Sequence, residues 1–473
     1  MYYPGSLHNH TQMSNFRGRD CIIKEKDLIN RAIELNHSVV AITDHESISA
    51  AVNIERLADS LPIKIIMGNE IYLCRDGLNA DNFVAGADKY YHFILLAKDL
   101  EGFHQICQLS SLAWKRSYMA KGLRRVPTYY SDVLEIIGKN PGHVYGLTAC
   151  LGGMLGTQLM KYQQTQSKEL WDKILNWCTL MNNTFDGNFF LELQPSASEE
   201  QTYVNRKIIE ISNTLNIPYV ITTDSHYLRK EDREIHKAFL NAQSVEREVD
   251  SFYATTYLMD TQELENHLDL TREELDIAYQ NILNIQNSCE KYSIRKPLKI
   301  PMLKWNEYKT EVTDEWIKKI PFLKTFAESS FVGDRELAKA TISGILKHPD
   351  LQNEAAFKEI NDNLRITWES SEVNKAHWSS YFLNLQKIID LCWEAGSIVG
   401  PGRGSGVGFI LLYCLDITQI NPLAEETKTF SWRFLNPERV SVLDIDFDIE
   451  GSKRDAVLAK FREFYGEDRV TNV

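Results

Sequence analysis

Two sets of residues in this sequence have the types and spacings that phosphate chemistry requires. Near the C-terminus, Gly400-Pro401-Gly402-Arg403-Gly404-Ser405-Gly406 precedes Asp444-Ile445-Asp446-Phe447-Asp448. Glycines let main-chain N–H groups approach phosphate oxygens without Cβ interference, and Arg403 and Ser405 add charge and a hydroxyl donor. Carboxylates at i, i+2 and i+4 of an extended strand share one face, which suits Mg²⁺ completed by water and substrate phosphates. Taken alone, such a loop is most often a turn, and such an acidic run is often an edge strand with one solvated face. The second set lies toward the N-terminus: His8-Asn9-His10, Asp44-His45, Glu70, His92, Cys150 and Asp224-Ser225-His226. A lone histidine of this kind is ordinarily a satisfied polar core group. An HxH pair, a DxH pair and a further acidic-histidine pair with a glutamate are not explained that way, because imidazoles at i and i+2 can reach one ion from one side.

The elements that must position this second set alternate regularly. Short β-branched or aromatic runs at 39–43, 63–67, 93–97, 144–146, 189–193 and 219–221 read as strands. Between them, 24–36, 48–60, 101–117, 167–182 and 199–215 read as helices. Such alternation predicts a parallel sheet closed, or nearly closed, into a barrel with its chemistry at the C-terminal strand ends. There His8 and His10 follow a first predicted strand, His45 a second and Glu70 a third, and Asp224 and His226 end the last. His92 opens its strand and so fits this rule least well.

Composition sets the frame. Of 473 residues, 43% are apolar and 25% charged, as in a globular protein of two to four domains. No apolar run reaches membrane-spanning length and the start Met1-Tyr2-Tyr3-Pro4-Gly5 has no leader character, so the expected location is the bacterial cytoplasm, with no membrane partner. Eight scattered cysteines without a CxxC pair exclude a disulfide framework and a zinc knuckle. A net charge of −13 argues against broad coating of nucleic acid, and the densest basic run, Lys115 and Arg116 with Lys121, Arg124 and Arg125, reads as a solvated face.

The motifs His8-Asn9-His10, Thr43-Asp44-His45, Gly68-Asn69-Glu70, His92, Cys150 and Asp224-Ser225-His226 resemble those of the PHP (polymerase and histidinol phosphatase) domain. That resemblance implies a distorted β/α barrel holding two or three divalent metals (Zn²⁺, Mn²⁺ or Fe²⁺). It adds Asp20 to the ligand set, in a context only loosely like the family's. One ion would then take His8, His10, Glu70 and Asp224, a second Glu70, His92 and Cys150, and a third Asp20, His45 and His226. Such a cluster suits phosphodiester hydrolysis, including 3′-to-5′ exonuclease action.

From about 230 to 395 helices dominate, with a capping box at Thr271–Glu274, a further helix capped by Thr313, and breaks at Pro297 and Pro301. The stretch from Tyr381 to Ser405, Asn421-Pro422-Leu423, Arg433-Phe434-Leu435-Asn436-Pro437-Glu438-Arg439 and Asp444 to Asp448 resembles the palm of bacterial C-family replicative polymerases, the alpha subunits of DNA polymerase III. The implied fold class is α/β: a PHP barrel (1–230), a helical connection (231–310), a helical thumb (311–395) and a partial mixed α/β palm (396–473). By that resemblance Asp446 and Asp448 are the catalytic carboxylates that bind Mg²⁺, and Gly404, Ser405 and Arg403 contact the nucleotide phosphates. Asp444 would orient its strand, and Arg403 and Arg439 are either phosphate contacts or salt-bridge partners. Leu443 in place of a proline, and Gly406-Val407-Gly408-Phe409, depart from the family pattern and suggest a divergent, phage-type lineage. The family's third carboxylate, fingers and clamp-binding segment lie beyond Val473, and Asp455 and Glu463 fall on a predicted helix.

The expected partners are therefore primer-template DNA, dNTPs, a companion C-terminal remainder of the polymerase and, through that remainder, a sliding clamp. The competing readings are an autonomous metal phosphoesterase and a non-catalytic assembly subunit.

Overall fold

The computed structural model describes every residue except 59–60, 121–122, 243–251, 298, 303, 439–443 and 471–473. Lys121, Arg439 and Leu443 thus lie outside the described residues. The chain forms two compact units, Met1–Ile294 and Arg295–Val473.

In the first unit the apolar runs become strands because both of their faces are covered. β1 (Val39–Ile42) is buried at every residue, as are β7 (Val144–Leu147), β8 (Phe189–Leu193) and β9 (Tyr219–Ile221). β2 (Lys64–Cys74) and β3 (Tyr91–Ala97) complete the main sheet, in the order β1-β2-β3-β7-β8-β9. A small hairpin, β4 (Tyr118–Ala120) with β5 (Leu123–Arg125), stands apart, and β6 (Thr128–Tyr129) pairs with β2.

Flanking helices take their ends from side-chain caps. Asp99, Ser167 and Ser198 each accept a main-chain N–H at the start of Leu100–Lys115, Lys168–Thr184 and Glu199–Leu215. The expected capping box is present, Thr271 with Glu274, ahead of Arg272–Ser288, and that helix packs on the barrel, where Asn281 donates to the Tyr219 carbonyl at 2.8 Å.

Two features differ from the all-parallel expectation. β3 runs antiparallel to both β2 and β7, while β1–β2, β7–β8 and β8–β9 are parallel. The N-terminal end of β3 therefore lies at the same edge as the C-terminal ends of its neighbours, which is how His92, opening its strand, reaches the same rim. Nor is the segment before His8 a regular strand. It bonds irregularly to both sheet edges: Val39 and Ala41 N–H donate to Pro4 and Ser6, Thr43 N–H to Asn9, and His10 N–H to Ser225 at 2.9 Å. Through it the curled sheet is tied from β1 back to the residues that follow β9, with one bridge, Asn9 to Ser225.

Among its described residues the second unit is built on helices Asp314–Lys319, Leu323–Ala327, Val332–Lys347, Glu354–Asn374, Trp378–Glu394, Ile410–Cys414 and Arg454–Tyr465. Its core holds Phe326, Trp378, Phe382, Phe409 and Phe434. Thr313 precedes the first of these helices but makes no side-chain capping bond. The acidic segment 444–448 is not a regular strand. Among the described residues one antiparallel bridge, Val399 to Ile449, pairs the chain just after it, with Gly400 N–H donating to the Asp448 carbonyl at 2.8 Å. Pairing along one short stretch does not build the ladder a strand needs.

Candidate functional site

The nine side chains singled out in the first unit meet at one rim of the barrel. Glu70 lies at its centre, mid-way along β2 and not at its end, opposite the residues that continue β1: Glu70 N–H donates to the Asp44 carbonyl and Glu46 N–H to that of Glu70. Glu70 Oε2 lies 2.9 Å from His8 Nε2, 3.0 Å from His10 Nε2 and 3.5 Å from His45 Nδ1. Its Oε1 contacts His92 Nδ1, and the Cys150 sulfur is 3.6 Å from the same nitrogen. Asp224 Oδ1 is 3.1 Å from both His8 and His10 Nε2. Asp20 Oδ2 lies 2.8 Å from His45 Nε2 and 3.5 Å from His226 Nε2.

Outer side chains fix the rings. His8 Nδ1 is 2.6 Å from Glu192 Oε1, and Glu192 also accepts from Gln194, Thr222 and the Ala149 N–H. His10 Nδ1 faces Ser14 Oγ at 3.1 Å, and that hydroxyl donates to Asp44. His226 Nδ1 faces the Asp224 carbonyl at 2.8 Å. In each case the second nitrogen is left pointing into the cluster. Glu46, Ala149 and Asp224 have φ of 46°, 60° and 46°, left-handed conformations for non-glycine residues, each at or beside a cluster residue. Strain of this kind is kept where a fold must aim a side chain.

Charges in the cluster are mutually dependent. Burial disfavours the protonated form of His8 and His10, but Asp224 and Glu70, with Glu192 for His8, outweigh it, raising His8 well above its ordinary value and His10 to about 10. Burial likewise opposes ionising Asp20 and Glu70, yet the surrounding imidazoles hold both well below the carboxylate range. For His45 burial prevails and lowers it to about 4. Burial and the nearby Asp224 and Glu70 carboxylates push the Cys150 thiol up.

The carboxylates thus demand positive charge at their centre, which divalent cations would supply on displacing those protons. The donor set fits that role. His8, His10, Glu70 and Asp224 form one group with ligand atoms within 4.8 Å of one another, and His45, Glu70 and His92, and His10, His45 and His226, form two more. His45 Nδ1, Glu70 Oε1 and Asp224 Oδ1 are buried, and their contacts within the cluster lack hydrogen-bond geometry.

Sequence reasoning passed over Glu192, although an acidic residue inside the apolar run 189–193 was a usable signal. It also passed over Ser14, Tyr72 and Tyr253, whose roles arise only from tertiary contact. In the basic run, Arg116 pairs with Asp132, Arg124 bonds Ser117, and Arg125 lies over Tyr90.

In the second unit, Arg403 Nη1 is 3.0 Å from Asp446 Oδ2, and its Nε is 3.3 Å from Asp448 Oδ1. Asp446 and Asp448 are 36% and 70% exposed. Asp444 is exposed as well. Gly404 has φ of +71°, and a Cβ there would sit 3.4 Å from Asp446 Oδ2. The loop therefore passes directly over the acidic pair, and Ser405 begins the short turn Ser405–Gly408 beside it. Asp455 and Glu463 lie on helix Arg454–Tyr465, as expected.

Residues 6–196 match the PHP domain family, and residues 335–473 match the bacterial DNA polymerase III alpha NTPase domain. Those two matches, in that order, define the class: a PHP phosphoesterase-like barrel ahead of a polymerase III alpha module. The chain is 36% identical over 498 residues to the DNA-directed DNA polymerase of Bacillus phage SPbeta, covering 98% of this chain and 38% of that protein. It is 28% identical to the DNA polymerase III subunit alpha of Thermus aquaticus (99% and 40% covered) and 27% identical to that of Aquifex aeolicus (99% and 38%). The chain spans about two fifths of the length of these relatives, and the order of its two matches is consistent with the N-terminal portion of a C-family polymerase.

Proposed function

We propose that this chain is the N-terminal part of a DNA-directed DNA polymerase and that its barrel carries a phosphodiesterase site acting as a 3′-to-5′ exonuclease. The convergence of nine donor side chains at one buried rim carries the second half of this reading. The polymerase half is supported by the names of the relatives and by the order of the two family matches.

Divalent metals, Zn²⁺, Mn²⁺ or Fe²⁺, would supply hydroxide at neutral pH and neutralise phosphate oxygens. His8, His10, Glu70 and Asp224 would hold one, with Asp20, His45, His92, Cys150 and His226 completing the set. Glu192, through His8, and Ser14, through His10, would keep the donor nitrogens aimed. In the second unit, read as thumb (311–395) and palm (396–473), Asp446 and Asp448 would take Mg²⁺, while Gly404, Ser405 and Arg403 receive the triphosphate of an incoming dNTP. Template-directed synthesis on primed DNA would require further polymerase segments supplied with this one, and a sliding clamp would be reached through them.

The test is Mn²⁺- or Zn²⁺-dependent shortening of a labelled 3′ end. His10→Ala should abolish it and Asp446→Ala should leave it unchanged. Loss in both variants, or in neither, removes this reading. The exposed, Arg403-bound state of Asp446 and Asp448 favours a second reading, in which the barrel acts as an autonomous phosphoesterase and the palm segment is scaffold. Extension of primed DNA once the polymerase remainder is added excludes it.

A further inference from the structure

The three cluster carboxylates are not held alike. Glu70 lies on β2 and Asp224 just beyond β9, with side chains 0% and 3% exposed. Asp20 sits on the loop between the 3₁₀ turn Gln12–Arg17 and helix Glu25–Glu34, and its side chain is 16% exposed. No sheet ladder positions it, so neighbouring side chains must. Its main chain is pinned on both sides. Asn15 Oδ1 accepts from the Asp20 and Cys21 N–H groups, both at 2.9 Å, and Asn15 Nδ2 donates to the Cys21 carbonyl at 2.8 Å. From helix Arg233–Asn241, His236 Nε2 lies 2.6 Å from the Asp20 carbonyl. These bonds fix the backbone and leave the orientation of the carboxylate to be set.

Tyr253 sets it. The phenol hydroxyl donates to Asp20 Oδ1 at 3.2 Å, while Oδ2 lies 2.8 Å from His45 Nε2 and 3.5 Å from His226 Nε2. The Tyr253 ring meets His226 edge-on, with centroids 5.3 Å apart at 82°, and meets His236 at 5.1 Å and 65°. Its own carbonyl accepts from the hydroxyl of Tyr227, the residue after His226, at 2.7 Å. Tyr253 therefore touches the Asp20 carboxylate, one imidazole of the cluster, and the side chain that holds the Asp20 carbonyl.

A hydrogen bond to one oxygen of a ligating carboxylate directs the other oxygen and tunes its strength as a donor. We infer that Tyr253 is a positioning residue for the ion assigned to Asp20, His45 and His226: by taking Oδ1 it turns Oδ2 toward that ion. The affinity of this ion is then set apart from that of the ion at His8, whose outer partner is Glu192 on β8. This rests on the metal-site reading above and names the side chain that governs one ion of that site.

The experiment is Mn²⁺ titration followed by electron paramagnetic resonance, with bound metal counted by mass spectrometry, in a parent chain carrying Asp446→Asn and Asp448→Asn so that the barrel is read alone. The parent should bind three ions. Tyr253→Phe, which keeps the ring and removes the hydroxyl, should weaken one ion by at least about tenfold and leave the other two within twofold. Asp20→Asn should weaken the same ion, and adding Tyr253→Phe to it should weaken that ion no further, because Tyr253 acts through Asp20. Glu192→Gln should weaken a different ion, the one at His8. Three ions bound within twofold of the parent in Tyr253→Phe overturn the inference. So do equal weakening of all three, additive losses in the Asp20→Asn, Tyr253→Phe double variant, or fewer than three ions in the parent. A parent that binds no Mn²⁺ removes the metal reading as well, whereas the expected binding pattern without 3′-end shortening removes the exonuclease reading and leaves this one standing.

Discussion

The barrel rim and the palm-like loop both gather carboxylates, yet they hold them under opposite conditions. Glu70 and Asp224 have almost no exposure and each faces two or more imidazoles. Asp446 and Asp448 face solvent and share a single guanidinium. Buried charge without compensation is costly, so the barrel must be wired before any ion arrives, and its surrounding Glu192, Ser14 and Asp44 do that wiring. The exposed pair needs no such frame, because water screens it. One region is a preorganised pocket; the other is a loosely paired segment fixed chiefly through Val399 and Gly400.

The contrast is most easily broken at Glu70. Glu70→Gln keeps the volume but removes the charge shared by His8, His10, His45 and His92. Since outer partners of metal ligands alone are worth about 10–100-fold, loss of this carboxylate should lower metal-dependent 3′-end hydrolysis by more than about 100-fold and reduce bound metal. Asp446→Asn should change neither quantity. If Asp446→Asn also removed hydrolysis, the two regions would not be chemically separate.

A second difference is acid sensitivity. The first unit buries His37, its Nε2 donating to the Met259 carbonyl at 3.1 Å and its Nδ1 without a partner, and burial lowers its pKa from 6.5 to about 4. The second unit holds only His348 and His377, neither of them buried. Between pH 6.5 and 4 the unfolded chain binds a proton that folded His37 refuses, so the stability His37 contributes is full above pH 6.5 and falls as pH drops toward 4. The shift corresponds to roughly 3 kcal/mol for the first unit. Urea unfolding at pH 7 and pH 4.5, followed by domain-specific fluorescence, should show the loss, and His37→Gln should make it smaller by His37's share, leaving that of His45.

What the sequence disclosed follows the same divide. The helix 199–215 has the bounds expected of it, and the runs at 39–43 and 219–221 became strands because apolar period and length decide burial. Strand direction was not legible. A hydrophobic run carries no arrow, so antiparallel β3 left His92 looking misplaced until its neighbours were known. Helices Tyr130–Ile136 and Met154–Thr165 and the paired strands Tyr118–Ala120 and Leu123–Arg125 lie in stretches whose weak periodicity gave no signal. Donor residues could be read from type and spacing, whereas Glu192, 184 positions from His8, becomes a partner only through the fold. The acidic run 444–448 alternates like a strand, yet alternation specifies a face and not a neighbour.

Glu192 sharpens the first half of the comparison. Glu192→Gln retains a group that can bond His8 Nδ1 but removes the charge that makes the ring a stronger donor to metal. Metal affinity should fall about 10–100-fold while the barrel stays folded, measured by competition with a chromophoric chelator. An affinity equal to that of the parent would make Glu192 a packing residue of β8.

The smallest effect belongs to Arg403. Its guanidinium is 54% exposed, and exposed pairs contribute about 0–1 kcal/mol, so Arg403→Ala should move the unfolding midpoint scarcely at all. The same substitution frees Asp446 and Asp448 from their counter-ion. With the barrel silenced by Glu70→Gln, Mn²⁺ binding at the acidic pair, followed by electron paramagnetic resonance, should tighten by up to about fivefold, as an exposed pair of that strength allows. A drop of several kcal/mol in stability would instead mean that Arg403 holds the loop and the acidic segment together, making this region as preorganised as the barrel.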